Sequence, residues 1–128
     1  MIVGLILTAC GPFKGGYNPP NDPIPNGTQI TSATLTAGGG KTVSGTVEIY
    51  RVDVGTYVIR LDNVILPTES NLEIIGTNNL GTLSPINLRF STGTQNYNVQ
   101  VSGTPHWTQV AIYSPSAQQN YAFANFSY

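Results

Sequence analysis

Apolar and polar positions alternate along most of the chain, most sharply over residues 42–66, TVSGTVEIYRVDVGTYVIRLDNVIL. In the first half of that stretch Val43, Val47 and Ile49 fall on one side, with Ser44, Thr46 and Glu48 on the other. In the second half Tyr57, Ile59 and Leu61 share a side opposite Arg60 and Asp62. A two-residue period marks strands with one face in a core and one in water. Asp53-Val54-Gly55 separates the two runs, and Gly55 can supply the positive φ at the end of a three-residue hairpin loop. Beyond Ile49 the apolar residues move to Tyr50 and Val52, a slip that a β-bulge near Arg51 repairs.

The same pattern predicts about eight strands, punctuated by Gly, Pro, Asn and Ser every eight to twelve residues. Besides the hairpin they fall at residues 29–36, 71–75, 86–91, 95–101, 106–113 and 121–128. No stretch carries a helical apolar period of useful length. The expected fold class is therefore all-β: a single antiparallel β-sandwich spanning residues 28–128. Its expected core holds Val47, Ile49, Ile59, Leu61, Leu72, Ile74, Leu88, Phe90, Val99, Val110, Ile112 and Phe123.

Residues 1–9, MIVGLILTA, break the alternation with an almost wholly apolar run. It is shorter than the roughly 20 residues that span a bilayer, and it looks like the end of a secretory signal peptide. Leu7-Thr8-Ala9-Cys10 resembles the lipobox of bacterial lipoprotein precursors, in which the peptidase cuts before the cysteine and the cysteine is then acylated, with palmitate among the chains. No Lys or Arg precedes the apolar run, so a few N-terminal residues are expected to be missing. Cys10 is the only cysteine, which leaves no partner for a disulfide within the chain. Residues 11–27, GPFKGGYNPPNDPIPNG, are rich in Pro and Gly, which removes backbone donors and breaks helices and central strands. Residues 10–27 thus read as a lipidated cysteine and a tether. Gly11 stands where an aspartate would signal inner-membrane retention, which tips the expected address in the bacterial cell envelope towards the outer membrane.

Charged residues make up only 9% of the chain, and the formal net charge is −1. The bases Lys14, Lys41, Arg51, Arg60 and Arg89 are scattered, so no nucleic-acid partner is expected. His106 is the single histidine, and no G-x-S-x-G nucleophile elbow occurs. Asp62, Glu69 and Glu73 flank one loop and are oxygen ligands in principle, but they read better as a solvated acidic rim. No cofactor and no metal site is expected. Aromatic residues crowd the C-terminal third. Most of them are expected to fill the core, and Trp107 and Tyr121 beside loops are the better candidates for stacking on a partner.

Several motifs in series resemble the DM13 domain family over about residues 41–128. They are Val43-Ser44-Gly45-Thr46-Val47, Leu61-Asp62-Asn63-Val64, Leu80-Gly81-Thr82-Leu83, Gly93-Thr94-Gln95-Asn96-Tyr97 and Val110-Ala111-Ile112-Tyr113. The resemblance implies a β-sandwich related to DOMON domains, carried on secreted chains and lipoproteins. It also implies an alternative function, electron transfer through a cysteine after the penultimate strand. Here Ser114 stands at that position, and Ser70-Asn71-Leu72 replaces the family's Pro-Asp-Leu. A hydroxyl lacks the redox chemistry of a thiolate. The expected function is therefore a non-enzymatic binding or assembly module, held to the membrane by its N-terminal lipid and meeting an envelope protein or glycan. Loops on a rigid scaffold carry recognition, so residues 67–71, with Glu69 and Asn71, together with Trp107 and Tyr121, are the expected partner contacts.

Overall fold

β3 (Ser44–Asp53) and β4 (Thr56–Ile65) form the expected hairpin at the centre of the molecule. Gly55 takes a φ of 73° in the turn, and the ladder slips between Arg51 and Asp53, where the apolar residues change sides. The structure, a computed structural model, describes residues 19–127. The leader, Cys10, the first half of the tether and Tyr128 lie outside the described residues.

β1 (Thr28–Thr34) pairs with β3, and β8 (Thr92–Gln100) pairs with β4, giving a four-stranded sheet of order β1-β3-β4-β8. The second sheet runs β2 (Thr36–Ala37), β10 (Gln119–Asn125), β9 (Trp107–Ser114), β5 (Glu73–Asn78), β6 (Gly81–Thr82), with β7 (Ile86–Asn87) also on β5. Every ladder is antiparallel, and the two sheets pack as a sandwich. The described residues form ten strands rather than about eight. The run expected as one strand at residues 29–36 splits at buried Leu35, where the chain crosses from one sheet to the other. The loop after β5 also contributes the two-residue β6.

Between the sheets lie Val47, Ile49, Ile59, Leu61, Leu72, Ile74, Val110 and Ile112, all but inaccessible to solvent. Trp107 is fully buried there, edge-on to Tyr57 with ring centroids 5.9 Å apart. Gly76 opposite leaves room for the indole, because a Cβ at that position would stand 3.1 Å from Trp107 Cζ3.

Three expected core residues depart from the expectation. Phe90 is 39% exposed, and Leu88 and Phe123 are only half-buried. After Asn87 one more backbone bond follows, Leu88 N to Leu72 O at 2.9 Å, and the chain then leaves the sheet; until Ser91 O accepts from Leu66 N at 2.8 Å, side chains hold it. Gln95 Nε2 donates to the Phe90 carbonyl at 2.6 Å, and Arg89 N donates to the Tyr97 hydroxyl at 3.0 Å. Alternation at residues 86–91 therefore produces only the two-residue β7.

The outer face of the four-stranded sheet is not left to water. Tyr50, Val58 and Arg60 lie on it and are all buried. Beside them the second half of the expected tether, residues 19–27, forms a strap. Asn21 bridges Thr94 in parallel, with Asp22 N bonded to Thr94 O at 3.0 Å and Thr94 N to Pro20 O at 2.8 Å. The strap then turns onto the sheet face, where Arg60 Nη1 donates to the carbonyls of Asp22 (3.1 Å) and Pro23 (2.8 Å) and to Asn96 Oδ1 (3.0 Å). Glu48 and Asp62 pair with the same guanidinium at 3.4 and 3.9 Å. Gly93 makes room for the strap, since its φ is +100° and a Cβ there would stand 2.6 Å from Pro20 O. Among the described residues, contacts with the sandwich thus reach back to Pro20, within the segment expected as tether.

Ile59→Ala should lower the stability measured by urea unfolding by about 2–5 kcal/mol, the cost of an unrelieved core cavity. Phe90→Ala should change it by less than about 0.5 kcal/mol, as at other exposed sites. Equal losses would show that the loop at residues 88–91 is core after all.

Candidate functional site

The two ends of the sandwich differ. One carries the β3–β4 turn with the loops after β5 and after β8. The other carries the loop between β4 and β5, the β9–β10 turn and the chain from β2 into β3. The expected partner contacts divide between them. Glu69, Asn71 and Tyr121 lie at the second end. Trp107 lies at the first, paired with Asn78 and separated from Ser114 by the length of β9, roughly 23 Å.

At the second end Glu69 is a point of convergence. Its Oε2 accepts from Ser114 Oγ at 2.5 Å and from Ser116 Oγ at 3.1 Å, and its Oε1 accepts from the Tyr121 hydroxyl at 2.6 Å. Ser114 Oγ in turn accepts from Ala117 N at 3.1 Å, which shapes the turn into β10. Lys41 Nζ lies 4.7 Å from the centre of the Tyr121 ring. The β9–β10 hairpin is thereby tied to one carboxylate of the loop between β4 and β5, with Lys41 over the Tyr121 ring. Hydrogen bonds from Ser114 and Tyr121 favour the charged form and hold the Glu69 carboxyl below its ordinary value, against a smaller opposing effect of burial; Ser116 and Lys41 add to the lowering. Asn71, two residues on, is exposed and takes a φ of 66°, which turns the loop back into β5.

The arrangement is a latch. Ser114 is fully buried and its hydroxyl already serves Glu69 and Ala117, so it offers no nucleophile to a substrate. His106 stands at the opposite end of β9, where its backbone exchanges hydrogen bonds with Asn79, far from Ser114 and Glu69. Asp62 accepts from Thr94 Oγ1 at 3.2 Å and lies near Arg60. Among the described residues Asp62, Glu69 and Glu73 make no common metal-ligating group.

Two expected contacts need correction. Trp107 is fully buried between the sheets and Tyr121 is 3% exposed. Each sits beside a loop in sequence, but Trp107 fills the space over Gly76 and Tyr121 turns its hydroxyl to Glu69. Neither ring is available to stack on a partner. Glu69 is half-buried and engaged, which leaves Asn71 as the exposed member of the set.

A groove at the first end was not read from the sequence. It is formed by cavities of about 500, 230 and 250 Å³ that share Gln100. Exposed Val54 and Leu80 flank it. Asn78 lines the middle cavity, and its Nδ2 and the neighbouring Trp107 Nε1 are buried without a hydrogen-bond partner among the described residues. No protein-family model matches the chain, and comparison with the curated proteins and with solved structures also gives no match. The DM13 likeness rests on the motif series alone.

The latch fixes the sign of a pH effect. A carboxyl whose folded pKa is depressed contributes stability above its unfolded value, and that contribution is lost as pH falls through the folded value. Glu69→Gln should therefore melt below the parent at pH 7. Between the ordinary carboxyl value of 4.5 and lower pH, the gap between the two melting temperatures should narrow. A gap that stays constant through that range would show that the charge is not what holds the loop.

Proposed function

We propose that the chain is a non-enzymatic binding or assembly module of the bacterial cell envelope, acylated at Cys10 and presented at a membrane, with the outer membrane favoured. The observation that carries this reading is the course of the strap. Asn21 runs parallel to β8 at Thr94, so the described chain enters the fold from the Glu69 end. Cys10 precedes Pro20 by ten residues, at most roughly 35 Å of extended chain, so an anchor there would keep the domain near a membrane. The groove at the opposite end then faces outward, where a partner arrives.

The latch supports the same reading. Glu69, Ser114 and Tyr121 close the anchor-side end with their polar groups turned on one another, which suits a rigid stand better than a reaction centre. A DM13-like domain without electron transfer is consistent with this, because the hydroxyl at Ser114 is no one-electron centre. The partner is an envelope protein or a glycan, and no nucleic acid is expected at a net charge of −1.

Expressed as its precursor in a bacterial host, the parent should incorporate an alkyne-tagged palmitate and partition into detergent. Cys10→Ser should abolish both. Undiminished labelling and partition in that variant would remove the lipoprotein reading.

A further inference from the structure

We propose that the β8 edge at Asn98 and Gln100 docks one extended, uncharged peptide strand of a partner protein. The inference rests on the binding-module reading above and names the chemistry of the partner. β8 ends the four-stranded sheet, and its ladder to β4 runs without a slip from Gln95 to Gln100. Val101 N bonds to Gly55 O at 2.9 Å. Antiparallel pairing alternates residues that bond inward with residues that do not. Val99, Tyr97 and Gln95 therefore turn their backbone groups to β4, while Gln100, Asn98 and Asn96 turn theirs outward.

Two hydrogen bonds at Asn96 agree with that parity. Asp22 Oδ2 accepts from Asn96 N at 2.9 Å, and Arg89 Nη2 donates to Asn96 O at 2.6 Å. The strap pairs with Thr94 as a short parallel strand and then leaves the edge, and the Asp22 carboxylate substitutes for the next carbonyl of that ladder. The chain thus covers its own edge at Thr94 and Asn96 and stops there. At Asn98 and Gln100 the outward N–H and C=O groups have no partner among the described residues.

Proteins usually blunt a free edge with charge, proline, a bulge or short strands. The other edges here follow that rule. β1 is bulged between Gln29 and Thr31, and β2 and β6 are two residues each. Residues 97–104, YNVQVSGT, carry no charge and no proline. The groove beside them is lined by no ionisable side chain, and Leu83, Ile86, Val99 and Val101 supply its apolar surface. Such a surface recognises a strand by backbone hydrogen bonds along the edge and by alternate apolar side chains in the groove. A charged side chain set into the groove would lose hydration with no counter-charge among the lining residues, the nearest charge on this edge being Arg89 at Asn96. A second β8 would bring its own residues 83–86 against the same groove, so a free peptide strand fits better than a second copy.

The test uses the purified full chain and a fluorescein-labelled, end-capped hexapeptide alternating Thr and Val. Saturable binding is expected by anisotropy, with slowed amide hydrogen exchange at Asn98 and Gln100. The peptide N-methylated on the residues that face the edge should bind at least tenfold more weakly. Asn98→Pro should do the same with an unchanged circular dichroism spectrum, since the donor it removes is not used by the ladder to β4. If that variant does not fold, the N-methylated peptide decides alone. No saturable binding, equal binding of the N-methylated peptide, or protection elsewhere overturns the inference. So does a concentration-dependent dimer in sedimentation with the same two amides protected. A parent that ignores the peptide but cross-links to an envelope partner through another face refutes this inference and leaves the binding reading standing. Cys10→Ser bears on the anchor alone.

Discussion

Arg60 carries a full charge on a sheet face that the strap buries. Removing a guanidinium from water costs several kcal/mol unless its donors and charge are met. Here two strap carbonyls, the Asn96 amide and two carboxylates meet them. The dependence runs both ways. The strap carbonyls have Arg60 as a donor only while the strap lies across β4, and Arg60 is buried only because it does. Stripping the strap would leave Arg60 Nη1 without two of its acceptors, so the outer face of the hairpin at Arg60 and the approach of the chain to it stand or fall together.

The same contact determines which part of the β8 edge is covered. A strap that continued straight would pair with Asn96, Asn98 and Gln100 in turn. Its carbonyls at Asp22 and Pro23 are instead turned to Arg60, and only the Asp22 side chain reaches back to the edge. The open stretch of β8 is thus a geometric consequence of satisfying one buried charge on β4, the strand next to that edge.

The sandwich was legible because alternation is local. Val47, Ile49, Ile59 and Leu61 declare their face within a few residues, and the slip after Ile49 announced the bulge in β3. Arg60 was not legible as a buried residue, because its cover comes from residues 22 and 23, which composition marks as tether. Phe90 has the right period and the wrong partners, since Gln95 and Tyr97 claim the backbone that a ladder would have used. Trp107 and Tyr121 were placed beside loops correctly, but adjacency in sequence does not tell which way a ring turns. Glu69 was singled out as a surface contact. Its hydroxyl partners are 45 to 52 residues away, beyond the reach of any local pattern.

The ends of the sandwich differ in how far their polar groups meet one another. At the Glu69 end, polar groups from the β9–β10 hairpin and from the loop between β4 and β5 saturate one another, and a carboxylate held ionised keeps that loop in place. At the other end, the turn at Val54 and Gly55 and the loop after β8 line the groove, and the outward backbone groups of Asn98 and Gln100 beside it have no protein partner among the described residues. Water meets such groups at an open edge, and a partner strand that displaces it would exchange those bonds for ones in less polar surroundings. Stability is therefore concentrated where the chain enters the fold, and unsatisfied bonding capacity where a partner can still supply it.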